Sequence, residues 1–325
     1  MSSIKCAGFS SLTSSRSTRL STILRAASIF GCISIALFSN AHANAQVLVA
    51  GDTDSGTLRF YNATNGSIIH SISSANQGGI ALGSDGYIYS SFGSSILKIN
   101  QTDYSVSTFA TGAGTNSYDL HFDSHDNLWT NQVGAGLVSY DTSGNRTQSS
   151  IFTYSFTQGN LRDYTQFGID ANDNFYFSQY GNGTNDILEY SAAGTLLNSF
   201  GSFRPTDFNF DSSGNLYAAN GNSGVTEYSS TGSFVKTITG GGHSISSFAL
   251  DGTGGMFTNH QNHGSEIGYI NSSNQFSTIV NLAGPATQMI FEASSVPEPG
   301  AIALGVGSIS LGGLAFLRKR RHSRS

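Results

Sequence analysis

The chain has 325 residues, 39 of them glycine, with fifteen Lys and Arg against twenty Asp and Glu and only two cysteines. The formal charge of −5 hides an uneven distribution: four basic residues precede residue 46 and five follow residue 317, which leaves six against nineteen acidic residues between 46 and 295, a net of −13. An acidic body argues against nucleic acid and anionic lipid as partners, and because Cys6 and Cys32 both lie ahead of it, it holds neither a disulfide framework nor a thiol nucleophile.

At the N-terminus, Lys5, Arg16, Arg19 and Arg25 form a basic segment without acidic residues. Ala26 to Phe38 is apolar, and Ala41-His42-Ala43 or Ala43-Asn44-Ala45 supplies a small-x-small cleavage site. This order predicts a secretory signal peptide over residues 1–45, removed by signal peptidase. Thirteen apolar residues are short for a bilayer span.

From residue 46 to 292 one unit recurs six times. Leu58 to Tyr61, Ile96 to Ile99, Leu137 to Tyr140, Ile187 to Tyr190, Val225 to Tyr228 and Ile267 to Ile270 each lead into a polar turn. Upstream of most copies a turn rich in Gly, Asn and Asp feeds a short strand, as Ser-Asp-Gly does before Tyr87 and His-Asp-Asn before Leu128. These residues tolerate the left-handed positions of tight hairpins. With Val47, Tyr87, Leu128, Phe175, Leu216 and Met256 as equivalent anchors, the spacings are 40, 41, 47, 41 and 40. Short alternating strands at this period, without helical periodicity, predict an all-β, six-bladed β-propeller with four strands per blade. Gln288 to Phe291 takes the place of an innermost strand and would pair beside Val47 to Ala50. Both chain ends then build the first blade and no open edge remains. Phe208 to Tyr217 (Phe-Asn-Phe-Asp-Ser-Ser-Gly-Asn-Leu-Tyr), with its equivalents from Phe167 and Phe248, resembles the NHL and gluconolactonase-like propellers, a group that includes streptogramin lyase. That resemblance implies the fold; activity has to be argued from a site.

In such a ring, the loop entering each innermost strand and the loop leaving the second strand share one face. Nine residues before the anchors stand Gly78, Asp119, Gln166, Asp207 and Ser247; four after them stand Gly51, Ser91, Gln132, Gln179, Asn220 and His260. Asp119, Gln166, Asp207, Asn220 and His260 are the candidate binding residues of this rim, whose oxygen donors suit Ca²⁺ or a sugar. Similarity to gluconolactonases implies a metal held by Glu, Asn and Asp. Asp119, Asp207 and Asn220 match part of that set, but no glutamate falls at these offsets. His243, His260 and His263 are placed in one sector of the same face, the last two in the loop leaving the second strand, and complete the candidate metal ligands. Converging imidazoles bind Zn²⁺ or act as a general base, and resemblance to streptogramin lyases implies a histidine and a metal here. The alternative is a polar rim that only solvates the channel. Ser149 to Gln166, with Tyr154, Phe156, Arg162 and Tyr164, offers aromatic rings to a sugar or packs as a blade edge. Asp123, Asp170, Asp211 and Asp251 read as turn residues, and Trp129, Tyr176, Tyr217 and Phe257 as packing between blades. No catalytic residue is assigned, and a divalent metal such as Ca²⁺ is the one cofactor the rim suits.

Residues 293–300 form a linker that contains Pro297, Glu298 and Pro299. Residues 301–325 hold an apolar run to Leu317, about long enough to cross a bilayer core, and then Arg318, Lys319, Arg320 and Arg321, which would anchor its end on the cytoplasmic side. This order resembles the PEP-CTERM sorting signal of Gram-negative bacteria. The resemblance implies recognition by an exosortase, passage through the inner membrane, and delivery to the envelope, surface or matrix. The combined expectation is an exported propeller, structural or binding a ligand such as extracellular polysaccharide. A metal-dependent lyase or lactonase working at the channel mouth is the alternative.

Overall fold

A computed structural model of the chain describes residues 45–296 apart from 53–54, 77, 114–116, 133–135, 148–165, 179–185, 222, 241, 243, 261–264 and 283–285. The expected signal peptide, apart from its last residue Ala45, which begins β1, and the sorting tail lie outside these residues, as do His243, His263 and the aromatic segment from Tyr154 to Tyr164. Blade 1 holds β1 (Ala45–Asp52), β2 (Thr57–Asn62) and β3 (Ile68–Ile72); blade 2 holds β4 (Ile80–Leu82), β5 (Tyr87–Phe92), β6 (Ser95–Asn100) and β7 (Val106–Thr111). Blade 3 comprises β8 (Ser117–Phe122), β9 (Leu128–Gln132), β10 (Gly136–Tyr140) and β11 (Arg146–Thr147). Blade 4 comprises β12 (Phe167–Ile169), β13 (Phe175–Ser178), β14 (Ile187–Tyr190) and β15 (Leu196–Phe200). Blade 5 is β16 (Phe208–Phe210), β17 (Leu216–Ala219), β18 (Val225–Tyr228) and β19 (Phe234–Ile238); blade 6 is β20 (Ile245–Leu250), β21 (Met256–His260), β22 (Glu266–Ile270) and β23 (Phe276–Asn281). Last, β24 (Ala286–Val296) returns to blade 1 as its innermost strand, giving six antiparallel four-stranded sheets.

The closure expected from the sequence is present: Leu48 pairs with Phe291, Val49 with Ile290 and Ala50 with Met289. β24 continues to Val296, beyond residue 292. None of the described residues forms a helix, so none of them forms one long and apolar enough to cross a membrane.

The register of the first two blades differs from the expectation. Equivalent second-strand residues pair with the last residue of the innermost strand and with the motif residue of the third. They are Leu48 (Phe291, Tyr61), Ile88 (Leu82, Ile99), Leu128 (Phe122, Tyr140), Phe175 (Ile169, Tyr190), Leu216 (Phe210, Tyr228) and Met256 (Leu250, Ile270), with Phe291 taking in blade 1 the place that the last innermost residue takes in the other five. The anchors are therefore Leu48 and Ile88, not Val47 and Tyr87. The reason is burial on both faces. Val47, Leu48 and Val49 are all buried, each at 1% exposure or less, so no polar alternation marks which residue faces which neighbour.

Six hydrophobic clusters fill the six blade interfaces. One joins Leu48, Tyr61 and Met289 of blade 1 to Phe257 and Ile267 of blade 6, so the closing interface is packed like the others. Aromatic residues that follow the anchors interlock successive blades, as expected: Trp129 meets Phe175 with centroids 4.9 Å apart, Tyr176 meets Phe210 at 5.0 Å and Phe257 meets Phe291 at 4.9 Å.

The acidic turns also behave as expected. Asp123 accepts from the His125 and Asn127 N–H groups at 2.9 and 2.8 Å, from Asn127 Nδ2 at 2.9 Å and from Trp129 Nε1 at 2.8 Å. Asp170, Asp211 and Asp251 repeat the two backbone bonds. Burial disfavours the charge on Asp123, yet the Trp129 and Asn127 donors outweigh it and hold the carboxyl below its usual range. Asp123→Ala is expected to destabilise the fold by about 2–4 kcal/mol through these lost bonds, read as a lower denaturation midpoint at unchanged slope.

Candidate functional site

Counting back three residues from the innermost-strand residue that pairs with each anchor gives one position per blade: Gln288, Gly79, Asp119, Gln166, Asp207 and Ser247. Gly79 replaces the expected Gly78, and Gln288 of the closing strand joins the ring. The long polar side chains of alternate blades reach to the next blade's backbone. Gln288 of blade 1 accepts from the Ile80 N–H of blade 2 at 2.8 Å. Asp119 of blade 3 accepts from the Phe167 N–H of blade 4 at 3.1 Å, and Asp207 of blade 5 accepts from the Phe248 N–H of blade 6 at 2.9 Å. The other Asp207 oxygen accepts from the Phe208 N–H at 2.8 Å, and the Gln288 amide donates to Asp119 Oδ1. Gly79 leaves space for this arrangement, since a Cβ there would lie 2.6 Å from the carbonyl carbon of Asp119.

Two residues further along the innermost strands lies a second layer. His121 Nε2 is 3.0 Å from Asp119 Oδ1, an ion-pair contact out of line for a hydrogen bond, and its ring stands edge-on to Phe167 at 4.9 Å. Asn209 donates to the Phe248 carbonyl at 2.9 Å. Asp119 and Asp207 are 0% and 1% exposed. Burial first, and then the charge of Asp119, push Asp207 up to about 8, against the pull of the Phe248 N–H, His121 and the Phe208 N–H. For His121, burial opposes protonation but the charge and contact of Asp119 prevail and raise its pKa.

The structure thus brings Asp119 and Asp207 to one hub, with Gln166 half-buried just ahead of β12. Asn220 sits in the turn between β17 and β18, its backbone N–H bonded to the Gly224 carbonyl at 2.7 Å. His260 is the fully buried last residue of β21, not a loop residue. It lies 2.7 Å from Thr258 Oγ1, 3.8 Å from Glu266 Oε1 and 4.8 Å from the Phe276 ring centre, all within blade 6. Among the described residues no three His, Cys, Asp or Glu side chains are arranged to hold a metal ion. Sequence reasoning passed over Gln288 and His121. The ring offset applied to the closing strand gives the first, and the two-residue strand period from Asp119 gives the second.

No protein-family profile matches the chain, and no curated protein matches it by sequence. Solved structures do. A crystal structure of a protein of unknown function from Bacteroides caccae has a TM-score of 0.59 at 14% identity, covering 77% of this chain and 99% of that one. A chain of the nidogen/laminin complex has a TM-score of 0.57 at 11% identity, with the same coverage. At these identities the likeness concerns fold alone. The chain is a six-bladed β-propeller with a hydrogen-bonded polar hub.

Proposed function

We propose that this protein is an exported propeller of the cell surface or extracellular matrix, which acts by holding a partner such as polysaccharide rather than by converting it. The observation that carries the reading is the state of the hub. Asp119 and Asp207, the carboxylates a metal-dependent lyase or lactonase would need at the channel mouth, are fully buried and accept backbone N–H groups across blade interfaces. Oxygen atoms engaged in this way hold blades together. The export route is read from the basic and apolar N-terminal segment and from Pro297-Glu298-Pro299 with its apolar run and Arg/Lys cluster. Signal peptidase and an exosortase are the partners this route requires.

Thermal melting of the intact chain tests the site reading. Millimolar Ca²⁺ or Zn²⁺ after chelation is expected to leave the midpoint within about one degree, because a ligand stabilises only what it binds. A rise of several degrees that Asp119→Asn abolishes would support the metal enzyme instead. For sorting, deletion of residues 297–325 is expected to move the protein out of the membrane and surface fractions; equal distribution of both forms would contradict the route.

A further inference from the structure

The two ends of the propeller differ in kind. At one end, every link between strands that bridges an innermost strand to its second strand, or a third strand to its fourth, is four or five residues long, from Gly83–Gly86 to Asn271–Gln275. At the other end the links range from the two residues between β5 and β6 to residues 148–166 between β11 and β12. Call these the turn face and the loop face. The hub residues stand at the loop-face end of the innermost strands. Variable length concentrates where binding loops are normally carried on a rigid scaffold.

Ala45 and Val296, the first and last described residues, both lie at the turn face. The innermost strands run from the hub toward the turns, and five of them stop at residues equivalent to Phe291, whereas β24 runs on to Val296. Its last residue pairs with Ala45, the first residue of β1. Blade 1 therefore extends as a two-stranded, bulged ribbon past the ends of its neighbours' innermost strands, by about 10 Å at the usual rise for the three residues of β1 ahead of Leu48. Only residues 297–300 separate Val296 from the apolar run that begins at Ala301, at most about 14 Å of extended chain. The exposed turn-face carboxylates Asp103 and Asp126 disfavour adhesion of that face to anionic headgroups. The orientation is set by covalent exit, not by adhesion.

We propose that the propeller stands on this blade 1 ribbon with its turn face toward the membrane and its loop face, hub included, directed away from it. The proposal rests on the reading that the apolar C-terminal segment engages a membrane. A partner would then reach the loop face from outside, and the turn face would be shielded by the lipid surface.

Cysteine placement tests this in the intact chain, with Cys6→Ser and Cys32→Ser as background. Ser212→Cys lies in the turn between β16 and β17, and Ser223→Cys lies at the opposite end of the same blade; both positions are exposed. The protein is reconstituted in phosphatidylcholine vesicles and treated with a bulky polyethylene-glycol maleimide. Ser223→Cys is expected to react at least about fivefold faster than Ser212→Cys on vesicles, and the two at similar rates in detergent. Vesicle-bound protein that labels equally at both positions, or faster at Ser212→Cys, overturns the orientation. Protein that fails to float with the vesicles overturns instead the membrane reading on which it rests.

Discussion

Asp119→Ala is expected to lower the unfolding free energy by about 3–5 kcal/mol, the scale of removing one partner from a buried charged network. Two groups lose their acceptor together, the Phe167 N–H of blade 4 and the Gln288 amide of blade 1, and the His121 imidazole loses the carboxylate it faces. The first two are separated from Asp119 by 48 and 169 residues, so the loss falls on long-range order and not on a local turn. Asp119→Asn keeps one acceptor oxygen and should cost about half as much. Guanidinium unfolding at constant slope reads the difference. A loss below about 1 kcal/mol for the alanine variant would mean that the hub is solvated and does not hold the blades.

Stability is expected to fall as pH rises from about 4 to about 8. Asp207 is pushed up to about 8 in the fold, against about 3.9 in an unfolded chain. In that window the unfolded chain has released a proton that the fold retains, so the fold loses stability with each step upward. The raised pKa of His121 acts in the same sense: its contribution is complete below about 6.5, its unfolded value, and is lost as pH climbs through its folded value. Asp123 and Asp251 are held below the usual carboxylate range, and their contribution is lost only in acid, below about pH 4. The unfolding free energy should therefore peak in mild acid and decline by roughly 2–4 kcal/mol toward pH 8. Asp207→Asn should flatten that decline, its cost being largest at pH 5, where the native carboxyl is protonated, and smaller at pH 8. A wild-type profile that is flat or rises across this window would show that Asp207 titrates as an ordinary carboxylate.

Blade number and closure were legible because they rest on turns. Gly, Asn and Asp at fixed offsets mark each hairpin, and the structure uses them as Asp123 and Asp170 do, through bonds to their own backbone. The register of blades 1 and 2 was not legible because Val47 to Val49 and Tyr87 to Tyr89 are apolar runs packed on both faces. That one-residue slip is what moved the ring position from Gly79 to Gly78. Asp119 and Asp207 were found by offset, but their task as latches depends on which backbone N–H lies opposite, a property of neighbouring blades and not of spacing. His260 shows the same limit: its offset matches the rim, while its side chain closes on Thr258 and Glu266 inside blade 6.

A hub of interlocked side chains, completed by the returning strand, holds the ring shut. A double-mutant cycle between Asp119→Ala and Gln288→Ala measures it most directly, since these residues meet only if β24 closes blade 1 and the hub is structural. A favourable coupling of about 1–2 kcal/mol is expected between the two sites. Strictly additive losses would contradict the claim.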